Sequence, residues 1–246
     1  MSVWPQVTYV YDGSFAGFLT CVAESFQHKE YPFYFFPCGE EQYSLYPLRE
    51  ITTNRDCARK LYCFLKRKIS LQARQLVEYS FLTCLPQKER HIYDFIYGTV
   101  YAGPSIDPTD DRLLILNNAV RHLRNEAHLL KGFIRFSDYS NVLVGVIKPK
   151  NRVLPLLRAH FCDRFAKEAF LIYDRSHKEA LCHVFGIWKI VPLETLTLHD
   201  PESKEVDTRR LWKQFYHSVA IESRHNPKLR MSKMPKRYWE TMTEFQ

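Results

Sequence analysis

Between Arg209 and Arg237, nine Lys or Arg residues stand against a single acid, Glu222. Aromatic side chains are interleaved with them at Trp212, Phe215, Tyr216, Tyr238 and Trp239. Cations set among flat rings suit a polyanion that carries stackable bases, so nucleic acid is the expected partner. Arg224, Lys228, Arg230, Lys233, Lys236 and Arg237 could neutralise phosphates, while Tyr238 or Trp239 stacks on a base. Asn226 is counted with this binding set. The plainer alternative is a solvated basic strap whose aromatic residues pin the terminus to the core.

A second group recurs at helical spacing in the segment 117–131. Arg121, Arg124, His128 and Lys131 lie opposite Val120, Leu123, Ala127 and Leu130, and Arg135 follows on the next strand. This could be another wall of a binding groove, or an ordinary polar helix face.

For catalysis, His160 and Asp174 are the candidates. An imidazole and a carboxylate could share general acid–base work, as hydrolysis at a sugar or a phosphate requires. The alternative is a simple turn at Asp174-Arg175 with a local ion pair. Metal-capable atoms also occur at Cys162, Asp163, His177, Cys182 and His183, but no CxxC pair is present, and neither a metal site nor a cofactor is expected. No GxSxG, Walker loop, GxGxxG or HExxH is found.

These residues must be positioned by a fold. The segment 7–11 alternates as a strand and ends at the turn signal Asp12-Gly13. Ser14 can cap a helix to about Phe26, and the aromatic run between Pro32 and Pro37 reads as a second strand. Helices are expected from Thr53 or Asn54 to about Ile69, over roughly 72–85, from Pro86 to near Gly98, and from Thr109-Asp110-Asp111 to Lys131. Gly132 should end that block. Residues 133–136 and 142–147 then read as a hairpin joined at 137–141. A helix over 154–167 and a strand pair, 169–173 with 181–185, follow. The last helix, 209–222, should turn Leu211, Trp212, Phe215, Val219 and Ala220 inward, before an extended basic connection over 223–235 and a short terminal helix. The fold class is therefore α/β or α+β, a small mixed sheet with packed helices and a mainly helical insertion in the first half.

The chain of 246 residues has a formal net charge of +8 and a hydrophobic fraction of 46%. It can bury a sizeable core, and no segment reads as a membrane span. Its start lacks a basic leader, so no signal peptide is expected. Seven cysteines without paired spacing favour free thiols in a reducing cytoplasm.

Several strings together resemble a bacterial DNA-metabolism and DNA-repair family, encoded beside a DNA-repair radical SAM protein and in some members fused to a uracil-DNA-glycosylase-like domain. They are Tyr11-Asp12-Gly13-Ser14-Phe15, Glu126-Ala127-His128, Lys131-Gly132-Phe133-Ile134-Arg135-Phe136, Leu154-Pro155-Leu156-Leu157, His160-Phe161, Arg164-Phe165 and Ile172-Tyr173-Asp174-Arg175. The tail strings Asn226-Pro227-Lys228-Leu229 and Met234-Pro235-Lys236-Arg237-Tyr238-Trp239 are the most specific, and Arg230 stands where such tails often show Gln. The resemblance spans nearly the whole chain and implies one domain over 1–246 with no room for a glycosylase domain, while the residue pattern reads as a helical subdomain near 53–131 and a strand-rich basic part near 132–246. It implies a DNA-binding role in repair or modification, accessory to the radical SAM protein. The alternatives are a metal-independent enzyme acting on DNA and a protein-interaction module with a basic docking tail.

Overall fold

The computed structural model describes residues 4–39, 43–68, 70–102, 110–200 and 203–245. The chain forms two compact units, Met1–His122 and Leu123–Gln246.

In the first unit, β1 (Gln6–Tyr11) leads through Asp12-Gly13 into α1 (Phe15–His28) and back into β2 (Tyr31–Pro37). With β3 (Leu48–Glu50) these make a parallel sheet of order β2-β1-β3. The turn forms as its residues dictate. Gly13 takes a left-handed φ of 75°, which a residue with a Cβ resists, and the Ser14 hydroxyl accepts the Gly17 N–H at 2.9 Å. Asn54 likewise caps α2 (Arg55–Lys68), and Ser70 caps α3 (Leu71–Phe81). After α4 (Lys88–Ala102) comes α5 (Asp111–Phe133), which begins in this unit and ends in the next. Phe18, Val22, Leu65, Val77, Ile92, Tyr93, Ile96 and Leu116 join one core with Tyr9 and Tyr11.

The second unit is built on a five-stranded mixed sheet, β4 (Phe136–Tyr139), β5 (Val142–Ile147), β6 (Ala169–Asp174), β7 (Glu179–Val184) and β8 (Ile187–Pro192), in that spatial order. Only the β5–β6 pair is parallel within it, and α6 (Leu154–Arg164) makes that crossover. Then follow α7 (Ser203–Ser218) and α8 (Pro227–Lys233), with short 3-10 segments at Glu222–Arg224, Lys236–Thr241 and Thr243–Phe245. The protein is thus of the mixed α/β class, and among the described residues no helix is long and apolar enough to cross a membrane.

Four local expectations are corrected. Gly132 does not stop α5, so the first hairpin strand lies three residues later. Its turn is Ser140-Asn141, with φ of 52° and 67°, the paired left-handed geometry that suits a tight two-residue hairpin. Strand β8 went unread; it pairs with β7 through Phe185-Gly186, again with positive φ at both residues. The last long helix starts at Ser203, and Leu211, Phe215 and Val219 are exposed rather than inward. The segment after it is not extended, because Asn226 accepts the Leu229 N–H at 3.0 Å and Pro227 supplies the preset first-turn φ, so α8 forms.

Candidate nucleic-acid interface

The N-cap at Asn226 decides where the tail cations go. By closing α8 it brings Arg224, Arg230 and Lys233 together with Asn226 around an open cleft of about 850 Å³. The other wall comes from Tyr216, His217 and the apolar residues Val219 and Ile221; the lining includes one acid, Glu222. Arg224, Lys228, Lys233 and Lys236 are exposed, and among the described residues none of them forms an ion pair. Arg230 lies over Trp239, 5.2 Å from the ring centre, and Trp239 in turn stacks on Phe245 at 4.3 Å. The Arg230 Nε is buried and has no hydrogen-bond partner among the described residues, an unsatisfied donor at the cleft wall.

Other predicted members are tied down. Arg237 lies 3.0 Å from the Glu126 carboxylate, and Tyr238 is 2% exposed with its hydroxyl 3.3 Å from the same group. Glu126 also accepts the Lys150 and Asn151 N–H groups at 3.0 and 2.9 Å and the Asn151 side-chain amide at 2.6 Å. A buried carboxylate is tolerable only when its lone pairs are filled in this way. Tyr238, expected to stack on a base, instead packs beside Phe133 and contacts Arg237 through its hydroxyl. Burial pushes that phenol's pKa up, with the Glu126 charge adding to it. Trp239 keeps one edge partly open, its indole N–H donating to the Met234 carbonyl at 3.0 Å.

Arg135 is likewise engaged. It grips Glu244 through two nitrogens at 2.6 and 3.1 Å, and the Trp212 indole donates to the same carboxylate at 3.1 Å. Burial alone would raise the Glu244 pKa; the hydrogen bonds from Arg135 and Trp212 outweigh it and hold the group below the usual carboxylate range. Arg124, His128 and Lys131 are exposed on the part of α5 within the second unit, whereas Arg121 belongs to the first. Arg124, His128 and Lys131 are not among the residues that line the α7–α8 cleft.

His160 and Asp174 share no hydrogen bond. Asp174, fully buried at the end of β6, accepts the Ser176 and His177 N–H groups at 2.9 and 3.2 Å and the His177 ring at 2.7 Å. That is the closing hydrogen-bond set of the β6–β7 turn, and it occupies both carboxylate oxygens. His160 lies on α6 against Phe161, with its Nε2 buried and without a hydrogen-bond partner among the described residues. Burial lowers its pKa, and the Lys131 and Arg164 charges lower it further. His183 has both ring nitrogens occupied by backbone, Nδ1 by the Glu168 carbonyl and Nε2 by the Gly186 N–H. Among the described residues no three His, Cys, Asp or Glu side chains converge as a metal-ligand group.

Sequence reading missed the Glu126 and Glu244 anchors. Glu126 is the single acid in the segment 117–131, and it is buried. The signal available was its place in Glu126-Ala127-His128, a string that shares the resemblance with the tail it holds. No curated protein and no solved structure matches the chain. A family described as a domain of unknown function, DUF4130, matches residues 86–244, well over half of the chain, and to that family this protein belongs.

Proposed function

We propose that the cleft between α7 and α8 binds a nucleic-acid backbone, and that the protein serves DNA repair or modification as an accessory factor. The observation that carries this reading is the convergence of Arg224, Arg230 and Lys233 with Asn226 on one cleft containing a single acid. Phosphates would sit against the exposed Arg224 and Lys233 and beside Arg230. The half-buried Trp239 lies beneath Arg230 and braces it rather than reading bases. An accessory role is preferred to catalysis because both oxygens of Asp174 are spent on its turn. The resemblance to the DNA-repair family adds a radical SAM protein as the enzyme served. Seven free thiols support a reducing, cytoplasmic setting.

The test is a fluorescence titration with a short labelled DNA strand at rising salt. Affinity should fall steeply as counterions return to the phosphates. A flat response, or no binding at low salt, rejects the reading.

A further inference from the structure

Helix α2 in the first unit carries a charge that the balance of that half of the chain conceals. Arg55, Arg59, Lys60, Lys66 and Arg67 are all exposed, and among the described residues no ion pair reaches any of them. Three other arginines of the first unit differ. Arg49 pairs with Glu30 at 2.8 Å, Arg90 with Asp94 at 2.8 Å, and Arg112 with Asp110 at 2.5 Å. Two further acids are engaged by tyrosines, Glu89 by the Tyr11 hydroxyl and Glu78 by Tyr62, whereas Asp56 is exposed on α2 itself. These ties engage much of the first unit's negative charge, and on α2 the five exposed cations stand against one acid, Asp56, so the helix is a cationic ridge.

Beside this ridge runs an apolar groove of about 520 Å³. Phe26, Leu61, Phe64 and Val100 form its floor, with Lys60 and Arg67 at its rim. Leu61, Phe64 and the two cations recur along one side of α2 at steps of three and four residues, so the groove follows the helix axis. Exposed apolar surface framed by charge is characteristic of a contact site.

We propose that this groove docks an acidic amphipathic helix of a protein partner. Apolar side chains spaced at i, i+3 or i+4, and i+7 would enter the groove, and flanking Asp or Glu residues would meet Lys60 and Arg67. A nucleobase fits less well. Its polar edges would be desolvated against a floor of hydrocarbon and phenyl groups that offer no hydrogen bond, whereas a Leu or Phe side chain loses nothing there. The proposal does not depend on the nucleic-acid reading of the second unit.

The experiment pans a display library of peptides of about 16 residues, long enough for two groove turns and their flanks, on the full chain. Enriched peptides are retested on Lys60→Glu/Arg67→Glu, on Arg224→Gln/Lys233→Gln, and against an oligo-dT strand. All three proteins are first matched by thermal unfolding, which these exposed positions should leave unchanged. The expected result is enrichment of Asp or Glu with Leu or Phe at helical spacing. Affinity should fall at least about tenfold on reversing the α2 charges, and stay unchanged in the α7–α8 cleft variant. No enrichment, enriched peptides without acids, or peptides indifferent to the α2 reversal would overturn it. So would loss of oligo-dT binding on that reversal, which would assign the groove to nucleic acid.

Discussion

Arg237 stands 3.0 Å from the buried carboxylate of Glu126, which joins the last cation of the basic tail to α5. Tyr238 and the Lys150-Asn151 backbone complete the same node. The tail is therefore anchored at one end by an internal ion pair and is open to solvent at Arg224, Lys228 and Lys233.

Glu126→Ala removes the acceptor shared by the Lys150 and Asn151 N–H groups, the Asn151 amide, Tyr238 and Arg237. A loss of about 3–5 kcal/mol is expected, the range found when one partner of a buried pair is deleted. Arg237→Ala should cost less, because Arg237 is partly exposed and the amide donors to Glu126 remain. Urea denaturation of the two variants checks the order. Equal losses would mean that the ion pair, and not the buried carboxylate, carries the node.

Acid should loosen the Glu244 anchor before it unfolds the chain. The folded state holds the Glu244 carboxyl below its ordinary value, and the same direction applies to Glu205, where hydrogen bonds from Arg209, Ser137 and the Asp138 N–H outweigh burial. A depressed carboxylate contributes fully above its unfolded pKa, near 4.3, and that contribution is lost as pH falls through the folded value. Trp212 donates directly to Glu244, so its fluorescence should change in that window below about pH 4.3. Trp212→Phe identifies the signal. A transition centred near neutral pH would contradict the assignment.

The β1–α1 turn is tightly built around Asp12, which accepts the Ser14 N–H at 2.9 Å and the Thr53 hydroxyl at 2.7 Å. A Cβ on Gly17 would lie 2.2 Å from the Asp12 carboxylate and 2.8 Å from the Thr53 hydroxyl. Gly17→Ala should therefore destabilise by about 1–3 kcal/mol through forced displacement of that pair. Unchanged thermal unfolding would show that the loop yields without cost.

The chain's first strand, helix and second strand were legible because each has a local cause: alternation, an Asp-Gly turn and a Ser cap. The same holds for β5, α6, β6 and β7. Strand β8 was hidden because Phe185-Gly186 is a weak turn signal and its strand is exposed on most positions, so apolar alternation says little. The α7 face misled because apolar spacing reports amphipathicity without saying whether a partner element arrives. Candidate cations were legible by type, yet their fates were not. Arg135, Arg209 and Arg237 are claimed by Glu244, Glu205 and Glu126, and only Arg209 lies within a helical turn of its acid. Pairing between distant segments is set by tertiary packing and leaves no local trace.

Asp174→Asn should act on stability and not on chemistry. It weakens the acceptance from His177 and the Ser176 N–H, at about 1–3 kcal/mol. Purified protein incubated with uracil-containing, alkylated and intact DNA is expected to release neither base nor strand. Release by the wild type that Asp174→Asn abolishes would replace the accessory reading with an enzymatic one.

The central claim is electrostatic and local to the α7–α8 cleft, and the salt dependence of binding tests it most directly. For a short single strand, log affinity should fall linearly with log salt, each neutralised phosphate adding about 0.7 to the slope. Arg224→Gln/Lys233→Gln should reduce that slope by about 1.4 while leaving thermal unfolding unchanged. A slope identical to that of the unaltered protein would place the phosphate contacts elsewhere and contradict the account.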